Sequence, residues 1–277
     1  MLIGSYAVVS AAAALGICLL SGSFGGSRWL WLLPVSALGL FLLLCLGTFL
    51  YLLYLCRKVD QSVPQEEDDP HYRRFTNLIL ESVLPVLRIH IKKNGLEKMP
   101  KEGRFLLVCN HCSDSDPIIL LRVFAKYQLA FVSKRENATM FVIGPMMHKL
   151  QCQLINREND REALKTILKC IEILKEDRAS VAVFPEGGIL TEDGKLHHFK
   201  PGVFKIAQKA GVPVVVCTLK NTLPVVPNIL HLKPSHVELT VLDVIDTETV
   251  KALKTVEIAD RAHALMAKNL GPNLIAD

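Results

Sequence analysis

The stretch Phe105-Leu-Leu-Val-Cys-Asn-His-Cys-Ser-Asp-Ser-Asp-Pro-Ile-Ile119 decides the fold. Its first five residues are continuously apolar, as in a strand buried on both faces. Asp116-Pro117 then opens a helix, predicted over Asp116–Tyr127, because proline suits a first helical turn. A polar loop, Asn110–Ser115, lies between them. Strand, loop and helix in that order are the repeating unit of an α/β sheet, and such loops sit at the strand ends where sites collect.

The alternation continues on both sides. Strands are predicted at Arg88–Lys93, Leu129–Ser133, Gln153–Asn156, Val181–Phe184, Val214–Leu219 and Val237–Asp243, with a turn at Asn94-Gly95. Helices are predicted at Asn137–Lys149, broken by Gly144-Pro145, at Val203–Ala210, ended by Gly211, and at Thr247–Asn269. Asp160–Lys175 is the clearest helix. Leu164, Ile167, Leu168, Ile171 and Leu174 form one stripe, and Asn159 with Glu162 makes a cap pair. The chain is thus read as α/β, with a central, largely parallel sheet flanked by helices over residues 88–277.

Residues 1–56 are of another kind. Their one charged residue is Arg28. Leu2–Leu20 and Trp29–Leu55 carry no charge, and a bilayer core of about 30 Å needs about 20 apolar helical residues. Ser21–Arg28, rich in Gly and Ser, suits a turn between them. An N-terminal transmembrane helical hairpin is the simplest reading; a shallow hairpin in one leaflet is the alternative. No basic residue precedes the first run, which argues against a cleaved signal peptide. Val59–Pro70 reads as a polar linker. His71–Leu87 reads as an amphipathic helix, with Phe75, Leu78, Ile79, Val83 and Leu87 in phase, resting on a membrane surface or in the core. Three segments result: an anchor at 1–56, a linker and amphipathic helix at 57–87, and the α/β domain at 88–277. Arg57, Lys58 and the His71–Arg74 cluster outweigh Arg28, which predicts a cytoplasmic α/β domain.

Half of the 277 residues are hydrophobic, and the excess is concentrated in the anchor. Residues 57–277 hold 31 Lys and Arg against 27 Asp and Glu. So mild a surplus does not point to nucleic acid, which calls for a clustered basic face; it suits anionic lipid or phosphate. The eight cysteines, three of them in residues 1–56, read as unpaired thiols of a reducing compartment.

His111 is the residue best suited to chemistry. Its ordinary pKa of about 6.5 fits proton transfer near neutrality. Asp116, five residues on across a turn, can reach back to one ring nitrogen, fix the tautomer and stabilise an imidazolium. Asp114 competes on reach alone, and Asp116 is also well placed as a plain helix cap. The second candidate segment is Val181-Ala-Val-Phe-Pro-Glu-Gly-Gly188, again a buried strand leaving into a glycine turn. Glycines there let backbone amides approach an anion, and Glu186 can bind a hydroxyl. Cys109-x-x-Cys112 reads as core packing, since a zinc site needs further ligands and no second paired-cysteine motif exists. His197-His198 reads as a polar loop. Lys200-Pro201-Gly202 precedes a helix, whose start favours anions.

Taken together, His111-x4-Asp116 and Phe184-Pro-Glu-Gly187 resemble the motifs of the PlsC-like glycerolipid acyltransferases, the 1-acylglycerol-3-phosphate acyltransferase family. Ile143-Gly-Pro…Ile155-Asn-Arg157 resembles the family's second block, and Gly211-Val-Pro-Val-Val-Val216 its fourth. The resemblance runs from about residue 90 to 220. It implies acyl transfer from an acyl thioester to a lysophospholipid hydroxyl, most simply lysophosphatidate to phosphatidate. His111 would be the general base and Asp116 its orienting partner. Arg157 would bind the acceptor phosphate with Lys134, while Glu186, Gly187 and Gly188 would shape the acceptor site and Lys200 would help. No metal or cofactor is implied; the donor is acyl-CoA or acyl carrier protein, and the partners are membrane lipids. Family and size together suggest a bacterial inner membrane. The family's third block continues Glu-Gly-Thr-Arg, whereas this chain reads Glu186-Gly-Gly-Ile189. That departure leaves open another lipid acceptor, or a membrane-anchored lipid-binding protein without catalysis.

Overall fold

The structure is a computed structural model describing residues 2–191 and 193–276. Two helices come first, α1 (Leu2–Leu20) and α2 (Trp29–Arg57), folded back on each other. Both are long and apolar enough to cross a membrane. α1 turns Ser10, Ala14 and Cys18 inward, at intervals of one helical turn. Small residues at that spacing let two helix backbones approach closely where no water drives them together. Tyr6 and Thr48 hydroxyls meet across the pair at 2.6 Å. Most of the rest of α2 is exposed or half-buried; Leu55 and Cys56 in its last turn are its buried residues. Pro34 lies inside α2 without ending it.

Helix α3 (Pro70–Val86) begins where its sequence dictates. Asp69 caps it by accepting from His71 N and Tyr72 N, with Pro70 in the first turn. It then runs back along α2. Tyr72 Oη donates to Leu55 O at 3.0 Å, Phe75 stands edge-on to Tyr51, and Leu2 N reaches Ser82 Oγ at 3.0 Å. Its other side delivers Leu84 to the core under the sheet. The amphipathic segment is therefore a core helix wedged between hairpin and sheet.

The sheet has seven strands among the described residues, in the order β1-β7-β6-β2-β5-β3-β4. They are β1 (Ile89–Asn94), β2 (Leu106–Cys109), β3 (Leu129–Lys134), β4 (Gln153–Ile155), β5 (Ser180–Val183), β6 (Val214–Lys220) and β7 (Ser235–Ile245). All neighbours pair parallel except β6 with β7, so β1 and β7 run opposite to the other five. β2, β5 and the first six residues of β6 are buried throughout, which explains their unbroken apolar runs. One face is covered by α6 (Asp160–Lys175), α7 (Lys205–Ala210), α9 (Thr247–Ala252) and α10 (Thr255–Leu270). The other carries α3, α4 (Asp116–Val123) and α8 (Val225–Leu230).

Three expectations need correction. The segment 137–149 is not broken at Gly144-Pro145: a 3-10 turn at Arg135–Thr139 comes first, and α5 (Ile143–Lys149) takes Pro145 into its first turn, where a missing N–H needs no partner. The terminal helix is two helices, because Leu253 and Lys254 are extended and each half has its own start. Asn159 caps α6 through Arg161 N and Glu162 N, but Glu162 turns to Asn156 Nδ2 at 2.9 Å instead of closing the reciprocal bond.

Arg73 ties these layers together. It is buried, pairs with Asp68, and donates to Leu129 O at 2.7 Å and Leu150 O at 3.1 Å. Removing it would strand a buried carboxylate and two carbonyls, at a cost of about 3 kcal/mol. Arg73→Met should therefore lower the thermal midpoint in detergent clearly, and adding Asp68→Leu should restore part of the loss. A midpoint unchanged in Arg73→Met would show that this strut is idle.

Candidate active site

The site lies at the C-terminal ends of four neighbouring parallel strands. His111 follows β2, Glu186 to Gly188 follow β5, Lys134 ends β3 and Arg157 follows β4. The sheet places side chains far apart in sequence along one edge.

Asp116 organises the first loop. Its Oδ2 accepts from His111 Nδ1 at 2.9 Å, from Cys112 N at 2.8 Å and from Ser113 N at 2.9 Å. The carboxylate thus points back into the loop, not forward along α4, and it is fully buried. It does not act as the plain helix cap that its place before Pro117 allowed. The His111 ring is held in the other dimension by Phe184, stacked at 3.9 Å between centroids and 14° between planes. Among the described residues, His111 Nε2 has no partner, and the side chain is 14% exposed. A histidine with Nδ1 tied to a carboxylate and Nε2 free is arranged to take a proton from a group arriving at the sheet edge.

Asn110 fixes the start of the loop. Its Nδ2 donates to Leu219 O at 2.9 Å and its Oδ1 accepts from Leu219 N at 2.8 Å. The side chain adds a rung between β2 and β6 where the backbone ladder stops at Cys109 and Cys217. Neither Asn110 nor Phe184 was singled out from the sequence; an amide directly after a buried strand was the available signal.

Glu186 is turned inward. Its Oε1 accepts from His111 N at 2.8 Å and its Oε2 from His197 N at 2.9 Å. Both oxygens are occupied by backbone amides, so the carboxylate braces the His111 loop against the 186–200 loop. Burial pushes its pKa up to about 7, against the pull of the two amides.

Gly187 and Gly188 make room for cations. Both have positive φ, 87° and 149°. A Cβ on Gly187 would stand 2.8 Å from Lys200 Cε, and one on Gly188 would stand 2.7 Å from Arg157 Nη1. Lys200 is drawn in by its own backbone, whose N–H donates to Pro185 O at 2.8 Å. Lys134 pairs in register with Ile155, two residues before Arg157. Among the described residues, none of the three cationic side chains has an ion-pair or hydrogen-bond partner. Ile189 stands exposed beside them.

The Cys109 and Cys112 thiols are both donors, to Asn110 Oδ1 and Gly194 O. Burial, with Asp116 nearby, pushes Cys112 up to about 12, so it stays a thiol at neutral pH. His197 is drawn away to Thr191, and His198 stacks on His263.

Glu186 makes stability depend on pH in a definite direction. Folding raises its pKa from 4.5 to about 7, so the folded chain keeps a proton that the unfolded chain releases. Its contribution is full below pH 4.5 and is lost as pH rises to about 7. Glu186→Gln removes that slope. The midpoint of the native chain relative to the variant should therefore fall between pH 5 and pH 8; a constant difference would contradict the assignment.

Comparison with known proteins finds relatives over the segment that carries these residues. Residues 90–220 match the family model described as Acyltransferase. A chloroplastic 1-acyl-sn-glycerol-3-phosphate acyltransferase from Arabidopsis thaliana is 34% identical over 165 residues, covering 57% of this chain and 45% of that protein. A 1-acyl-sn-glycerol-3-phosphate acyltransferase from Borreliella burgdorferi is 29% identical over 134 residues, covering 48% of this chain and 52% of that protein. The chain thus spans about half the length of these curated relatives. The crystal structure of PlsC from Thermotoga maritima shares the fold, with a TM-score of 0.56 and 23% identity, covering 77% of this chain and 86% of that one. Over residues 90–220 the chain is thus similar to the acyltransferase family and, within it, to 1-acyl-sn-glycerol-3-phosphate acyltransferases.

Proposed function

We propose that this chain transfers a fatty acyl group from an acyl thioester to the free hydroxyl of a lysophospholipid, with lysophosphatidate as acceptor and phosphatidate as product. The observation that carries the proposal is a histidine with Nδ1 on a buried carboxylate and, among the described residues, Nε2 free, on the sheet edge that also holds three cations with no partner among those residues. His111 Nε2 takes the proton of the acceptor hydroxyl as its oxygen attacks the thioester carbonyl. Asp116 holds the imidazole in the right tautomer and stabilises the imidazolium. The C–O bond forms and the C–S bond breaks. His111 then returns the proton to the departing thiolate. The step calls for no cofactor; the donor, acyl-CoA or acyl carrier protein, is a substrate.

The acceptor phosphate sits over the Gly187-Gly188 turn, between Arg157 and Lys200, with Lys134 on the neighbouring strand end. These cations stand in for the arginine that the family carries where this chain has Ile189. Charge-assisted bonds to phosphate are the strong kind of hydrogen bond. The relatives named above support this acceptor, since they are named for acting on 1-acyl-sn-glycerol 3-phosphate. Arg57, Lys58 and Arg74, on the α/β side of the hairpin, support a cytoplasmic α/β domain, and the bacterial relative is consistent with a bacterial inner membrane.

The test is thiol release from palmitoyl-CoA by the purified chain in detergent. Turnover with lysophosphatidate should fall at least about a thousandfold in His111→Ala. Arg157→Ala and Lys200→Ala should raise the KM for lysophosphatidate more than they lower kcat. Turnover in His111→Ala equal to the native chain's would end the proposal. Turnover confined to an acceptor without a phosphomonoester would keep the base and reject the acceptor.

A further inference from the structure

Outside the hairpin, exposed apolar side chains occur in several groups, among them Met140, Phe141 and Ile143, and the one around α8 holds the barest leucines. Leu223, Val226, Leu230 and Leu232 lie within ten residues on and around α8, and Leu230 and Leu232 are each 79% exposed. Val225 and Ile229 of the same helix face inward and pack under the sheet. α8 is thus pinned by one side while its other side is bare. Soluble surfaces expose single apolar residues freely, but a contiguous group marks a contact.

The position of this group says what covers it. Arg88 Nη1 donates to Leu232 O at 3.0 Å, which ties the segment to the end of α3. Val86, at that end, is itself exposed. Four residues earlier in α3, Ser82 Oγ receives Leu2 N, the start of α1. The bare side of α8 therefore continues from the root of the apolar hairpin. Its surroundings are basic. No Asp or Glu occurs from Gly194 to Val237 or from Ser82 to Leu96, while Arg88, Lys93 and Lys233 do; Lys92 pairs with Glu238, and Lys220 turns to Asn269 O on the α10 face. Apolar side chains flanked by Arg88 and Lys233, beside a membrane-anchoring helix, complement an anionic leaflet.

We propose that the segment from Leu223 to Lys233 docks on the membrane surface at the root of the hairpin, with its leucines among the acyl chains and the flanking cations on anionic headgroups. The docking rests on α1 and α2 being the membrane anchor; its consequence for the site rests also on the acyl-transfer reading. Its consequence for the site is direct. Leu223 and Cys112 both border Gly194, so the docked segment adjoins the loop that carries His111. The contact holds the site opening at the level of the lipid headgroups, where a lysophospholipid reaches it without leaving the interface.

The experiment uses the full chain with Trp29→Phe and Trp31→Phe, so that one introduced tryptophan reports. Leu232→Trp alters an exposed position and leaves the core intact. Lys101→Trp, in the loop leading into β2 on the opposite sheet edge, is the reference. Each is reconstituted in vesicles of phosphatidylcholine and phosphatidylglycerol. Brominated phosphatidylcholine should quench Leu232→Trp about twofold and leave Lys101→Trp unchanged. Acrylamide should show the reverse order, and omitting phosphatidylglycerol should weaken the lipid quenching. Leu232→Trp behaving like Lys101→Trp in both assays would overturn the proposal. Protection from acrylamide without quenching by brominated lipid would also overturn it, in favour of contact with a second copy of the chain.

Discussion

Asp116 Oδ2 accepts three hydrogen bonds from the loop that precedes it, from the His111 ring and from the amides of Cys112 and Ser113. Everything at the site is built on that convergence. A buried carboxylate needs several donors to remain charged away from water. The loop supplies them only in one conformation, so the same bonds that stabilise Asp116 set the position of His111. Phe184 beneath the ring and Asn110 at the strand end close the remaining freedom. The imidazole is oriented before any substrate arrives, which is the preorganisation that the proposed proton transfer rewards.

Around this centre, charge is arranged by depth. The carboxylates of Asp116 and Glu186 face inward and are consumed by backbone amides. The cations Lys134, Arg157 and Lys200 face outward and have no partner among the described residues. An anion at the strand ends therefore meets positive charge and glycine-opened backbone, while the acids hold the loops behind it. The price is Glu186, a buried carboxyl held near pH 7 between its two forms. The hairpin adds a second constraint from outside, because α3 packs on α2 and on the sheet core at once.

Much of this was legible in the sequence. The apolar strand before Asn110 and the five-residue spacing from His111 to Asp116 predicted their pairing, since a turn brings such residues within one bond. The helix Asp160–Lys175 matches residue for residue, because its stripe is regular and its cap is strong. The two uncharged runs became helices of the expected length. What was not legible depends on tertiary contacts. α8, with two prolines in or beside it, gave no periodic signal and is fixed by the core under it. Glu186 looked like a residue for substrate, and only the approach of two distant loops turned it inward. The break at Leu253-Lys254 carries no glycine or proline to announce it. Sequence order likewise separates Arg157 and Lys200, which border the adjacent glycines Gly188 and Gly187 only in the fold.

The central claim is that the charge of Asp116 acts on His111 beyond holding the loop. Asp116→Asn separates the two roles. Its amide oxygen can take the place of Oδ2, and its NH2 the place of Oδ1, a buried atom with no partner among the described residues. The most direct measurement is single-turnover acyl transfer by Asp116→Asn, with its thermal midpoint recorded alongside. The account predicts a midpoint within a few degrees of the native chain and a rate lower by about a thousandfold or more. A native-like rate at a native-like midpoint would mean that the carboxylate is scaffolding only, and that His111 needs no charged partner.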